Sequence, residues 1–471
     1  MPRLLTIAVL LCLAVCSQAG RHQGSSQKTK YADGPAFIYR VYLTDKAGSS
    51  YTLDRPARFL SRRSLERRRR QQLPLDTTDL PVSERYLRML ASESVSIVGT
   101  SRWHNTVLLR MKDSTQMQAI RQMPCVKGDR LVWLAPDSVV ADHRIAYSER
   151  FEERDSIMGE IYGTARQQLY TLRGEQLHRS GFLGKGMMIA VLDGGFKNVD
   201  RIPEFQKVNI LGTHDFVTRT DSQLFSETDH GTRVLSAMAI YHPYSFIGTA
   251  PKADYWLLRS EDQQTEQEVE EDYWTMAAEF ADSVGCDIIN SSLGYNEYDH
   301  QWMSYHLWQL DGHTAFVSRT ASMLADKGII LCNSAGNSGM SPWKKIGVPA
   351  DADDILTVGA IADLPSRRIA PFSSVGPSQD GRIKPDVVAI GAPTRVVSGR
   401  GVITDGTGTS FSTPVVCGLV ACLWQAMPDK TARQIIQLIR QSGDNCQHPD
   451  NVYGYGLPNF WRAFMIGKSE L

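Results

Sequence analysis

Beyond its N-terminus, the 471-residue sequence has no apolar run of the about 20 residues that cross a bilayer. No membrane-spanning segment is therefore expected in the mature chain. Cysteine is scarce, eight in all, and Cys12 and Cys16 lie in the first apolar stretch. Cys125 stands alone in the first half, and the spacing of the others matches no zinc pattern. Five remain in the second half (Cys286, Cys332, Cys417, Cys422 and Cys446), an odd number, so at least one is free or pairs outside that half. The first four of these sit in apolar stretches and read as small core residues. There is no internal repeat and no biased tract, which excludes a solenoid, a fibre and a disordered chain.

What is present begins with a targeting signal. Arg3 gives a short basic start, and Leu4 to Cys16 form an apolar run of 13 residues. Ser17-Gln18-Ala19 puts small residues where a signal peptidase needs them. Residues 1–19 read as a secretory signal, which implies a periplasmic or extracellular protein. The alternative is an N-terminal anchor; Val15 is bulky for the residue before a lipidated Cys16.

The net charge of zero hides an asymmetry. Residues 21–135 carry 21 Lys and Arg against 10 Asp and Glu; residues 136–471 carry 29 against 41. Two such parts are expected to attract one another. The steepest charge lies at Arg62, Arg63, Arg67, Arg68, Arg69 and Arg70. Leu60, Leu65 and Leu73 punctuate that run, so it reads as a solvated helix face, open to cutting by other proteases. An acidic main domain in a secreted chain argues against nucleic acid.

Periodicity divides the chain. Residues 20–136 read as a small α+β domain. Strands are expected at 36–43, 95–98, 106–111 and 132–135, with helices at 55–72, 83–92 and 114–122. Residues 137–165 are polar and weakly patterned, a linker. From 166 to 471, short apolar strands alternate with longer helical segments. Strands are expected at 187–192, 255–258, 286–290, 329–333, 355–360 and 386–390. Helices are expected at 230–240, 266–283, 314–327, 410–426 and 430–441. That alternation implies an α/β domain, a mostly parallel sheet with helices on both faces.

Four segments could carry chemistry, and each is weak alone. The strand Ile189 to Leu192 ends in Asp193-Gly194-Gly195, where open α/β sheets put their sites, although such an Asp can simply cap a turn. Asp229-His230-Gly231-Thr232 enters a helix; His230 could face a cleft or a surface, and Gly231 permits close approach of backbone. Asn333 to Gly339 follows a strand with small residues and an amide. Gly408-Thr409-Ser410-Phe411-Ser412-Thr413-Pro414 opens an apolar helix. Ser410 is expected at its N-cap and Pro414 in its first turn. A serine there would sit among backbone donors able to hold an oxyanion.

Together, the motifs AVLDGG, HGT, SAGN and GTSFSTP resemble the subtilase family (peptidase family S8). So do Gly248-Thr249-Ala250-Pro251, Ser292-Leu293-Gly294, Phe372-Ser373-Ser374 and Lys384-Pro385-Asp386-Val387. The resemblance covers about residues 165–465, and the strand RVYLTDK and the ending YGYGLPNFWRA look like secreted Bacteroidetes-type members. It implies a subtilisin-like fold and a serine endopeptidase with Asp193, His230 and Ser410 as triad. It also implies an oxyanion hole of Asn337 and the Ser410 N–H. Substrate would be bound by Ser292, Leu293 and Gly294 and by Ser334, Ala335 and Gly336. Phe411 and Ser412 stand where the family more often has Met and Ala. Residues 20–136 would be an inhibitor-like propeptide, removed by self-processing within 137–165. The expected partners are protein or peptide substrates and the chain's own propeptide, with the enzyme a monomer. No cofactor is implied. Many subtilases bind structural calcium, but no Asp-rich loop here is assignable, and His300, His306 and His313 fit no standard metal spacing. The loop 295–313 either shapes the cleft or packs as surface. Val348-Pro349 falls where the family often has a cis proline. With the sequence ending at Leu471, no sorting or adhesion domain is expected to follow. A peptide-binding pseudoprotease, an esterase or transpeptidase, and an adhesive surface protein are the competing readings.

Overall fold

A computed structural model describes residues 28–31, 34–140, 160–220, 223–362 and 364–469. The expected signal at 1–19 and most of the stretch 137–165, where a linker and processing are expected, lie outside the described residues. The first domain is a four-stranded antiparallel sheet of β1 (Phe37–Leu43), β2 (Val95–Ser101), β3 (Thr106–Met111) and β4 (Val126–Leu134), ordered β2-β3-β1-β4. Its helices include α1 (Arg62–Arg70) and α2 (Glu84–Leu90). The expected helix 55–72 is split. A short turn at Pro56–Arg58 precedes Ser61, whose side chain accepts from the Ser64 N–H and starts α1. Strand alternation sends Tyr39, Val41 and Leu43 into the domain's own core and Ile38 and Arg40 to the opposite face.

The second domain holds a seven-stranded parallel sheet. Its strands are β5 (Met188–Asp193), β6 (Asn209–Asp215), β7 (Asp254–Arg259), β8 (Ile288–Ser291), β9 (Ile330–Ser334), β10 (Leu356–Ile361) and β11 (Val387–Ile390). The order is β11-β10-β9-β8-β5-β7-β6. Helices α3 (His230–Ala239), α4 (Val269–Val284), α5 (Phe316–Met323), α6 (Thr409–Ala426), α7 (Ala432–Ser442) and α8 (Phe460–Ser469) cover it. Along β5, Ile189 and Val191 pack with α3 and α6, while Ala190 and Leu192 pack with α4 and α5. Both faces are dry, which is why the central strands read as unbroken apolar runs. Edge strand β6 and the C-terminal α8 escape the periodicity. In β6 (NILGTHD) only Ile210 and Leu211 are strongly apolar, and every residue but Asp215 is at least partly exposed. Helix α6 is long and apolar enough to pass for a membrane span, contrary to the sequence expectation, but it is buried in the core. The Val348–Pro349 peptide is cis.

The arginine run is a solvated face only in part: Arg62, Arg69 and Arg70 are exposed, but Arg67 and Arg68 are not. Arg67 and Arg68 are about as buried as any side chain in the protein, and both pair with Asp282 of α4. Arg102 joins them at 2.5 Å, so one carboxylate with no exposure holds three guanidinium groups of the first domain. Asp79 in turn pairs with Arg68 at 2.9 Å and with the buried Lys327 at 3.1 Å. Sequence pattern misses this because Asp282 lies 215, 214 and 180 residues from Arg67, Arg68 and Arg102, and local amphipathicity is blind to it. Removing one partner of a buried ion network leaves charge unpaired in low dielectric. Asp282→Ala is therefore expected to destabilise the unprocessed chain by about 3–5 kcal/mol. Urea unfolding in a Ser410→Ala background, where cleavage does not intervene, measures it.

Candidate functional site

Three carboxyl ends of the central strands and two helix starts converge. Asp193 closes β5, wholly buried. Its Oδ1 accepts the Gly194 N–H at 2.8 Å, and its carbonyl accepts the Ser260 N–H at 3.0 Å. His230 is the first residue of α3, and its Nδ1 lies 2.9 Å from both Asp193 carboxylate oxygens. Gly231 makes this approach possible. A Cβ there would stand 2.5 Å from the Gly195 carbonyl and 2.9 Å from Asp193 Cβ. The close approach that its sequence position suggests is thus to the Asp193 loop. The His230 ring remains one-third exposed and packs at 5.7 Å from Phe411. Burial pulls its pKa down. The charge and hydrogen bond of Asp193, aided by Glu261 and Asp229, nevertheless leave it raised above the ordinary histidine value. Glu261 stands just past β7 near both residues. Burial, and then repulsion by Asp193, push it up to about 7.

Ser410 is the second residue of α6, not its N-cap, and Pro414 lies inside the helix beyond the first turn. Gly408 takes the cap with φ +148°, a conformation that disfavours any side chain. Pro414 has no N–H to give the Ser410 carbonyl four residues back. That carbonyl accepts instead from the Ser292 hydroxyl at 2.9 Å. Ser410 Oγ donates to the Ser292 carbonyl at 3.2 Å, so the two serines clasp each other across β8 and α6. In this resting arrangement the Ser410 hydroxyl is not turned to His230, as is common before substrate arrives.

Asn337 is exposed, and its Oδ1 accepts from the Thr409 N–H and the Thr409 hydroxyl, each at 3.0 Å. A backbone N–H can only donate, so the atom facing it is the amide oxygen, and Nδ2 points the other way. Thr409 is a positioning residue that motif reading passes over, although it sits beside Ser410 in the sequence. Thr409 Oγ1 also accepts the Gly336 N–H at 3.2 Å. The Phe411 N–H is taken by the Gly408 carbonyl. Among the described residues, none accepts from the Ser410 N–H, one of the free first-turn donors.

Ser334, Ala335 and Gly336 leave β9 beside Ser292, Leu293 and Gly294, which leave β8. The Leu293 side chain is buried, and its carbonyl is occupied by Asn333 Nδ2 at 3.3 Å and Ser334 Oγ at 3.2 Å. Gly294 is the exposed member of its segment. Gly336 has φ +102°, so glycine is required there. The following loop packs inward through Tyr298 and Tyr305, whose hydroxyls donate to Glu271 at 2.7 and 2.6 Å. Trp302 and Trp308 of that loop stay exposed. Among the described residues, no group of His, Cys, Asp and Glu is arranged to hold a metal ion.

Comparison with known proteins follows the same lines. The subtilase family profile matches residues 184–456, and that of the Peptidase S8 propeptide domain, Bacteroidota, matches residues 38–146. Serine protease AprX of Bacillus subtilis (strain 168) is 28% identical over 306 residues, 59% of this chain and 65% of that protein. Subtilisin DY of Bacillus licheniformis is 26% identical over 293 residues, 61% of this chain and 94% of that protein. Membrane-bound transcription factor site-1 protease of Homo sapiens is 29% identical over 266 residues, 55% of this chain but 22% of its own length. The chain thus spans just under two thirds of AprX and about a fifth of the site-1 protease.

Proposed function

The chain belongs to the subtilase family and carries an S8 propeptide domain ahead of its peptidase domain; on that premise we propose that it is a secreted serine endopeptidase, made as a self-processing proenzyme. Ser410 is the nucleophile. His230 takes its proton and later delivers it to the leaving amine. Asp193 fixes the ring with Nδ1–H inward and stabilises the imidazolium. Asn337 Nδ2 and the Ser410 N–H receive the oxyanion. Ser292 to Gly294 and Ser334 to Gly336 flank the substrate strand. One observation carries the reading: Thr409 locks Asn337 with its amide donor free, at the start of the helix that bears Ser410.

Asn337→Ala tests it. Loss of one oxyanion donor acts on the transition state rather than on bound substrate. The expected result is a kcat lower by about 10²–10³-fold, or about 2.7–4 kcal/mol, with KM nearly unchanged. Steady-state kinetics on a peptide substrate separate the two terms, and a rise in KM alone would count against the assignment. Export by the segment Leu4 to Cys16 is supported by its composition alone, and N-terminal sequencing of the exported precursor should begin at Gly20.

The pH dependence follows from the same charges. The base must be neutral, so activity falls as pH drops through the raised pKa of His230. Glu261 contributes to that rise, and it is charged above about pH 7. Glu261→Gln should move the acid limb of kcat/KM to lower pH. An unmoved limb in a pH–rate profile would detach Glu261 from the base.

A further inference from the structure

Three neighbouring strands end in charge. In parallel register, Asp193 of β5 stands beside Arg259 of β7, and Arg259 stands beside Asp215 of β6. Two residues back, Val191 and Leu257 belong to the core that includes Val234 and Leu235 of α3. Strand alternation therefore turns Asp193 and Arg259 to that same face. Arg259 is 1% exposed, where Tyr255 and Leu257 before it on that face are apolar. A guanidinium is costly to bury unless its donors are met. Nη1 pairs with the wholly buried Asp215 at 2.9 Å and donates to Gln223 Oε1 at 3.4 Å, and Nη2 stands 4.0 Å from Glu227. Nε donates to the Gly194 carbonyl at 3.0 Å. Asp215 is anchored in turn, accepting the Val217 and Thr218 N–H groups at 2.8 and 2.9 Å and the Thr218 hydroxyl at 2.7 Å.

These partners fall on the two segments that carry the Asp193–His230 couple. The Gly194 N–H donates to Asp193 Oδ1 at 2.8 Å, and Arg259 takes the carbonyl of the same residue. Gly194 is thus pinned on both sides, and Arg259 reaches the carboxylate through it. Gln223 and Glu227 lie on the loop that leads into Asp229 and His230. That loop is laced to the Asp193 turn. The Phe196 N–H donates to the Leu224 carbonyl at 2.7 Å, the Lys197 N–H to the Thr228 carbonyl at 3.0 Å and the Gly231 N–H to the Gly195 carbonyl at 3.1 Å. Arg259 braces both segments from the sheet side. Only a planar, forked side chain does this, because Nε, Nη1 and Nη2 leave in fixed directions. A lysine ammonium there would keep its charge beside Asp215 but offer no second fixed arm to the Gly194 carbonyl.

We propose that Arg259 is a positioning residue for the reaction: through Gly194 and the loop 223–227 it sets the Asp193–His230 hydrogen bond. This rests on the peptidase reading above. Its action is on geometry at the base, not on substrate binding, so its loss falls on the chemical step. A displacement of about 1 Å at reacting groups can cost about 10²-fold in rate.

Arg259→Lys in the full chain is the test, with kinetics measured after maturation by wild-type enzyme. The expected result is a kcat lower by about 10²-fold with KM within about twofold of wild type. The far-downfield proton resonance of His230 Nδ1–H, identified by its absence from His230→Ala, should shift or broaden. A kcat within about twofold of wild type overturns the proposal. So does a loss of activity no larger than the unfolded fraction with the resonance unmoved, which is how a residue that only stabilises the fold would behave. Should Arg259→Lys not fold, Arg259→Met with Asp215→Asn removes the stranded carboxylate together with the guanidinium, and the same readings apply. Failure of both to fold makes Arg259 structural and also overturns the proposal. Failure of the peptidase reading looks different: the wild type then neither hydrolyses peptide nor takes up a fluorophosphonate. The resonance still compares the couple in wild type and variant, and an unmoved resonance overturns the role of Arg259 on its own.

Discussion

Ser410→Ala yields a chain that folds, keeps its first domain covalently attached and hydrolyses no peptide. The loss in kcat is expected to be on the order of 10⁶-fold, the scale of subtilisin-type triads without their nucleophile. The reasoning is geometric. The Ser410 hydroxyl stands at the second position of α6, where, among the described residues, its own N–H has no acceptor and the helix dipole is positive. Its carbonyl is held by the Ser292 hydroxyl because Pro414 cannot hold it. Alanine removes the Oγ bond to the Ser292 carbonyl and leaves the carbonyl clasp intact. Stability should therefore change little while chemistry stops. Gel analysis of maturation and a peptide assay, with thermal unfolding as control, check each half of that statement. A variant that still shortens by its own activity would remove Ser410 from the mechanism.

Asp193→Asn gives the second large effect, a fall in kcat of about 10⁴-fold with the fold preserved. Asp193 accepts from His230 Nδ1 through both oxygens and from the Gly194 N–H. An asparagine in the same place keeps its oxygen on the Gly194 N–H, which can only donate. Its NH₂ then faces His230 Nδ1 and forces the ring into the tautomer with the proton outward, unable to accept from Ser410. The variant also loses the charge that raises the pKa of His230, so residual activity should persist to lower pH. Kinetics across pH test both points. A loss much smaller than tenfold would mean that Asp193 does not orient the base.

Much of this was legible in the sequence, for a physical reason. A doubly covered parallel sheet writes its strands as short apolar runs, and β5, β7, β8, β9, β10 and β11 all lie within about two residues of where those runs predict them. The glycine-flanked Asp, His, Asn and Ser segments stood out because crowding at Gly231 and the backbone angle at Gly408 leave little choice but glycine. What was hidden depends on distant partners. Nothing local distinguishes Arg67 and Arg68 from exposed arginines until Asp282 is brought against them. Ser410 looked like a cap because serine favours that position, but Gly408 takes it with a backbone angle that only glycine adopts freely. Thr409 and Glu261 act through orientation and charge on neighbours, which a one-dimensional pattern does not record. Edge strand β6 lacks a second buried face and so lacks the signal.

The most direct measurement is the site of covalent capture. The processed wild-type protein is treated with a fluorophosphonate, digested, and the adduct is located by mass spectrometry. Ser412 lies two residues away as an internal control, fully buried with its hydroxyl donating to the Thr409 carbonyl at 3.0 Å. The account predicts a single adduct on Ser410, at one per chain, abolished by denaturation beforehand. An adduct on Ser412, or none on an intact folded protein, would contradict it.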